Sequence, residues 1–198
     1  MTNIKLCGLR RPEDIEAANA LRPEYVGFVF ASGSRRRVTP EQAEALKRLL
    51  NPGILAVGVF VNERPERIAE LLSRGTIDLA QLHGDEDAAY LEKLRLMTKA
   101  PIIQAFRIRS EADLAAAAKH TADYVLLDAG AGDGKTFDWA MLKEFDRPYF
   151  LAGGLTPENV SSAVRALRPF AVDVSSGIET DGAKDPVKMR AFVAAVRK

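Results

Sequence analysis

Cysteine is almost absent. Cys7 stands alone in 198 residues, so no intramolecular disulfide can form. A lone thiol fits a reducing compartment, and the cytoplasm is the expected location. Histidine is nearly as scarce: there are two, His83 and His120, with no cysteine pair and no i, i+4 histidine pair beside them. The common zinc-ligand patterns are therefore missing, and no metal is expected. No apolar run approaches the ~18 residues that a membrane-spanning helix needs. Residues 1–6 lack a charged stretch followed by an apolar one, so no signal peptide is expected. An excess of one charge is missing too, with 28 Lys and Arg against 27 Asp and Glu. That balance gives no electrostatic footprint for nucleic acid or an anionic membrane, and Arg35-Arg36-Arg37 is too short a run to change it. With no linker and no low-complexity segment, residues 1–198 are expected to form one domain.

What is present is a repeat. Short apolar runs alternate with capped amphipathic segments: Ile4–Leu9, Tyr25–Phe30, Leu55–Val61, Leu79–His83, Ile102–Arg107, Tyr124–Asp128, Tyr149–Ala152 and Ala171–Ser175. Nearly continuous apolar runs suit strands covered on both faces. The segments between them carry helix-start signals, with Thr39-Pro40-Glu41-Gln42 offering an N-cap, a first-turn proline and a capping-box partner. Thr156-Pro157 and Asp185-Pro186 repeat the cap-then-proline device. Val160, Ala163, Val164 and Leu167 form an apolar stripe at helical spacing, as do Met189, Phe192, Val193 and Val196. Eight even strand–helix units with no large insertion point to the α/β class and to a single (β/α)8, or TIM, barrel.

In such a barrel the reactive groups sit at the C-terminal ends of the strands. Those positions hold Cys7, the loop with Arg36, Gln81 and His83, Asp128, Gly153-Gly154, and Asp173, Ser175, Ser176 and Gly177. With strand period two, Lys5 shares a face with Cys7, Gln81 with His83, and Asp173 with Ser175. Glycines after the seventh and eighth strands either turn the chain or let backbone N–H groups meet a phosphate, and barrels commonly place phosphate there. Cys7 is either a small buried hydrophobe or a base, which would require positive charge to stabilise its thiolate. Asp128 either caps a loop or, closing an apolar run, holds a proton as an acid. Asp173 is a second carboxylate or a structural partner, and Arg36 is suited to a carboxylate or phosphate. Gly134-Lys135-Thr136 has the ending of a nucleotide-binding P-loop, but Ala129 stands where its first glycine belongs. A lid over Ala129–Thr136, followed by a helix capped by Asp138, is the expectation there.

Read together, several segments resemble the phosphoribosylanthranilate isomerases of tryptophan biosynthesis. They are Lys5-Leu6-Cys7-Gly8-Leu9, Gly27-Phe28-Val29-Phe30, Ser34-Arg35-Arg36, Gly58-Val59-Phe60-Val61-Asn62 and Gln81-Leu82-His83-Gly84-Asp85. The rest are Gly134-Lys135-Thr136-Phe137-Asp138-Trp139, Leu151-Ala152-Gly153-Gly154-Leu155 and Asp173-Val174-Ser175-Ser176-Gly177-Ile178-Glu179. They span essentially the whole chain. The resemblance implies an Amadori rearrangement of a phosphorylated aminoaldose, with Cys7 as general base and Asp128 as general acid. It implies that Arg36 meets the anthranilate carboxylate, that Gln81, His83 and Asp173 line the pocket, and that Gly153, Gly154, Ser175, Ser176 and Gly177 hold phosphate. The reaction requires no redox cofactor or metal, and the partner expected is a phosphorylated small molecule; the sequence does not report oligomeric state, and monomer or homodimer is the expectation. Asp133 departs from the small hydroxyl residue common in the family. Alternative readings are another sugar-phosphate isomerase barrel, or a phosphate-binding barrel without catalysis. An indole-forming synthase is expected to use strand-end lysines, a metal-dependent epimerase more histidines, and a histidine-pathway isomerase an acidic group in place of Cys7.

Overall fold

In the computed structural model, residues 1–129 and 139–198 are described. The eight apolar runs become β1 (Asn3–Cys7), β2 (Tyr25–Val29), β3 (Leu55–Phe60), β4 (Leu79–Leu82), β5 (Ile102–Arg107), β6 (Tyr124–Asp128), β7 (Tyr149–Ala152) and β8 (Ala171–Val174). Each pairs in parallel with the next, and β8 returns to β1 through Asn3↔Ala171, Ile4↔Val172, Lys5↔Asp173 and Leu6↔Val174. The barrel is closed, as expected. Five strands end one or two residues before their apolar runs do. At β1 the reason is local: Gly8, at φ +79°, turns the chain out of the strand.

Period two sorts the side chains. Ile4 and Leu6 face outward into the core shared with the helices, as do Val26, Phe28, Val125, Leu127 and Val172. Tyr25, Val57, Leu79, Ile103, Leu126 and Phe150 face inward and fill the bottom of the barrel. Phe150 meets the rings of Tyr25, Tyr124 and Phe170 at centroid distances of 5.3, 5.7 and 5.6 Å. Above this apolar plug the inward positions turn polar, and they supply the site.

The outer layer is α1 (Pro12–Leu21), α2 (Pro40–Arg48), α3 (Pro65–Ser73), α4 (Ala88–Met97), α5 (Glu111–Lys119), α6 (Val160–Leu167) and α7 (Pro186–Val196). Thr39 caps α2 as anticipated: its Oγ1 accepts from Gln42 N at 3.2 Å, and Gln42 Oε1 accepts from Thr39 N at 2.8 Å. Asp185 caps α7 by accepting from the backbone N–H groups of Val187 and Lys188. Thr156 does not cap a helix directly. Asn159 Oδ1 accepts from Thr156 N, and Asn159 Nδ2 donates to Gly154 O, so a turn tied to the glycine pair precedes α6.

Two departures lie near the rim. Residues 130–138 fall outside the described residues, and with them the expected lid, Gly134-Lys135-Thr136, Asp133 and the cap Asp138. The next described element is a 3-10 turn, Trp139–Leu142, where a full helix was expected. Arg147 then ties the chain to the carbonyls of Ala117, His120 and Ala122 around the end of α5, drawing it straight into β7. After β8, a 3-10 turn at Ser176–Ile178 leads into an unanticipated hairpin of β9 (Glu179–Thr180) and β10 (Ala183–Lys184). Its turn is Asp181-Gly182, both with positive φ, the pattern of a two-residue type I′ turn.

Glu179 anchors that hairpin to the loop after β2. Its carboxylate accepts from Arg36 Nε at 2.6 Å and Nη2 at 2.8 Å, from Arg35 Nη2 at 2.9 Å and from Lys184 Nζ at 2.7 Å. Burial alone would raise its pKa, but Arg36 and Lys184 overcome that and hold it at about 2.

Two predictions follow from this packing. Phe150→Ala should lose about 3–5 kcal/mol, measured by urea unfolding, because it opens a cavity that the parallel strands cannot collapse into. Glu179→Gln should cost about 3 kcal/mol at neutral pH. A depressed carboxylate pKa stabilises fully above the unfolded value near 4.5, and that contribution fades as pH falls towards about 2. The gap between parent and variant unfolding midpoints should therefore close across that window; equal stability at pH 7 would contradict the clamp.

Candidate active site

Closure of the barrel brings the inward polar residues to one rim. A cavity of about 360 Å³ opens there, lined by Cys7 from β1, Gln81 and His83 from the end of β4, Asp128 from β6, and Asp173 from β8. Gly153, Gly154, Ser175 and Ser176 complete it on the side of β7 and β8. Nine of the eleven expected site residues thus share one cavity.

Cys7 is buried and packs against Val29 and Val59. It has room because its neighbour on β2 is Gly27: a Cβ there would come within 2.6 Å of Cys7 Sγ. Lys5 lies below it on the same face, fully buried, with its Nζ 2.9 Å from Asp173 Oδ2. Burial alone would lower the Lys5 pKa, yet Asp173 and Cys7 hold the ammonium above its usual value. The thiol departs from expectation. Positive charge is present in Lys5 and Lys184, but burial outweighs it and Asp173 adds to the rise, so the Cys7 pKa lies above its ordinary value. Cys7 is held as a thiol at neutral pH rather than as a standing thiolate.

On the far side, Gln81 Nε2 lies 2.8 Å from His83 Nδ1. With Gln81 Nε2 as the donor, His83 Nδ1 accepts, which is the arrangement of the Nε2–H tautomer. That Nε2 is 3.6 Å from Asp128 Oδ2. Asp128 is not sealed in apolar surroundings, since its side chain is about a quarter exposed to the cavity. Two buried acceptors, Gln81 Oε1 and Asp173 Oδ1, have no hydrogen-bond partner among the described residues. They are suited to donors on a bound molecule.

Gly153 and Gly154 both take positive φ, +98° and +63°, and a Cβ on Gly154 would meet nothing within 4 Å. The chain there lies open to a ligand. Gly177 has another job. A Cβ would fall 1.9 Å from Leu155 O, so its bare backbone lets the loops after β7 and β8 touch, and it does not line the cavity. Arg36 is not in the lining either, because its fork is taken by Glu179 while its stem packs against Gly8. Lys5, Glu179 and Lys184 were not among the expected site residues. Lys184 Nζ donates to Ser175 O at 2.8 Å and to Glu179, linking the loop after β8 to the Arg36 clamp. Lys5 was signalled by its shared face with Cys7, and the hairpin that carries Lys184 by its Asp-Gly turn. Among the described residues no group of three His, Cys, Asp or Glu stands close enough to hold a metal ion, and no helix is long and apolar enough to cross a membrane.

Comparisons with known proteins agree with this geometry. Residues 4–195 match the family model for N-(5'phosphoribosyl)anthranilate isomerase. The N-(5'-phosphoribosyl)anthranilate isomerase of Endomicrobium trichonymphae is 44% identical over 202 residues, covering 100% of this chain and 99% of that one. The crystal structure of the Thermotoga maritima phosphoribosyl anthranilate isomerase superposes with a TM-score of 0.92 at 36% identity, over 100% and 99% of the two chains. Another solved phosphoribosyl anthranilate isomerase, in complex with reduced 1-(o-carboxyphenylamino)-1-deoxyribulose 5-phosphate, has a TM-score of 0.89 at 36% identity, again over 100% and 99%. This closed barrel, with Cys7 and Asp128 on one rim, belongs to the N-(5'phosphoribosyl)anthranilate isomerase family.

Proposed function

We propose that this chain converts N-(5-phosphoribosyl)anthranilate to 1-(2-carboxyphenylamino)-1-deoxyribulose 5-phosphate, the Amadori step of tryptophan biosynthesis. The observation that carries the reading is the placement of Cys7 and Asp128 in one cavity beside Gly153-Gly154 and Ser175-Ser176. Asp128 protonates the furanose ring oxygen, and the ring opens to an iminium ion. Cys7, as thiolate, removes the C2 proton of the sugar, and the enolamine tautomerises to the aminoketose. Asp128 and Cys7 serve the first two proton transfers, the tautomerisation then moves a proton onto C1 and one off the C2 hydroxyl, and no step needs a redox group.

The residues divide the substrate between them. Backbone N–H groups around Gly153, Gly154 and Ser176 take the phosphate, with Ser175 oriented by Lys184. Gln81 Oε1 and Asp173 Oδ1 accept from substrate hydroxyl or N–H donors. His83 Nε2–H faces Asp128 and orients the acid. Arg36 offers its remaining Nη1 to the anthranilate carboxylate from beside the cavity, with Glu179 holding Nε and Nη2. We place this activity in the cytoplasm, in one domain spanning residues 1–198 and in a monomer or homodimer, which accords with its unpaired Cys7.

Supplied with N-(5-phosphoribosyl)anthranilate, the protein should deplete the substrate's anthranilate fluorescence. Cys7→Ala and Asp128→Asn should each lower kcat by about 10²–10⁴-fold while folding normally. Full turnover in either folded variant would defeat the assignment of that residue.

A further inference from the structure

Cys7 must become a thiolate to act, and the site holds it as a thiol. The charged groups that face it are Lys5 from its own strand, Asp173 from β8, Lys184 from β10 and Arg36 from the loop after β2. His83 and Asp128 stand across the cavity. Gly27, Val29 and Val59 on β2 and β3 add no charge. Lys184 and Arg36 are both committed to Glu179. Lys5 is held by a residue of the cavity wall: Asp173 gives one oxygen to Lys5, while its other oxygen is buried and has no partner among the described residues.

Resting on the isomerase reading above, we propose that Lys5 is a positioning residue for the base: its ammonium is shared between Asp173 and Cys7, and its hold shifts towards Cys7 when a substrate hydroxyl or N–H donates to Asp173 Oδ1. A donor on Oδ1 draws carboxylate charge away from both Lys5 and Cys7. Lys5 is fully buried, so water screens neither interaction. The released thiol proton leaves through the cavity, and the ammonium keeps all of its own. The base is thereby armed by the molecule on which it acts. Away from substrate, Cys7 stays a poor target for oxidants and electrophiles, which attack thiolates.

The single cysteine makes the test clean. Carbon NMR of labelled Cys7 Cβ, titrated against pH, reports its ionisation alone. The probe is the reduced product analogue, 1-(o-carboxyphenylamino)-1-deoxyribulose 5-phosphate in reduced form. Saturation with it should lower the Cys7 midpoint by about one pH unit, tenfold more thiolate at a given pH. Asp173→Asn should lower the midpoint without the analogue by a similar amount and abolish the further shift. Lys5→Met should move the midpoint the other way, raise the acid limb of the kcat–pH profile by about one unit, and leave KM within about twofold. A static ion pair gives those opposite shifts by charge alone, but not an analogue-induced shift that Asp173→Asn abolishes. If Lys5→Met fails to fold, the Lys5→Met/Asp173→Asn double variant, which buries no lone charge, should fold and show no analogue-induced shift. A parent midpoint indifferent to the analogue, or a double variant that keeps the full shift, overturns the inference. A parent with no isomerase activity defeats the proposed function instead, so the two failures are distinguishable.

Discussion

Closure of the ring between β8 and β1 is the constraint on which the site depends. The register of that seam sets Lys5 opposite Asp173. Because side chains alternate along a strand, the same register lifts Cys7 to the rim two residues further on. A slip of one residue would turn Lys5 and Asp173 into the apolar layer beneath the helices, where neither charge has a partner. The buried ion pair therefore penalises wrong registers more than it stabilises the right one. Its net contribution to stability need not be large, since desolvation offsets most of the Coulomb attraction.

The interior is divided along the barrel axis. Below, Tyr25, Ile103, Leu126 and Phe150 fill the lumen and exclude water. Above, Lys5, Cys7, Gln81, Asp128 and Asp173 face the same space with charge and hydrogen-bonding groups. The apolar plug is what raises the stakes for the polar layer, because charges on its upper surface are poorly screened. Outside the ring, the Asp181-Gly182 hairpin carries Lys184 back over the loop after β8 and presents Glu179 to Arg36. That clamp joins the proposed phosphate end of the cavity to the edge proposed for the substrate's aromatic acid.

Some features were legible because they depend on local spacing. The cap-and-proline signals at Thr39 and Asp185 gave helices where expected, since capping is settled within four residues. Period-two alternation put Gln81 on one face with His83 and Asp173 on one face with Ser175, and all four line the cavity. Arg36 and Gly177 were different. Both stand at rim positions in sequence, but the partner of Arg36 is Glu179, about 140 positions away, and Gly177 is pressed against Leu155 O. Thr156 carries a good cap signal and still opens a turn, because Asn159 is drawn to Gly154. The Asp-Gly turn at 181–182 was a readable sign of the hairpin, hidden among the loop residues before the last helix.

By itself the sequence determined the eight-unit barrel and the strand ends at which Cys7 and Asp128 stand, because strand spacing and side-chain alternation are local properties of the chain. The tertiary structure decided how those groups are tuned. Whether a thiol near lysines is acidic depends on how much water burial removes, and here burial wins over Lys5 and Lys184. Which cation belongs to which carboxylate depended on the barrel seam and on the hairpin. These set distances between residues far apart in sequence, and no spacing along the chain encodes them.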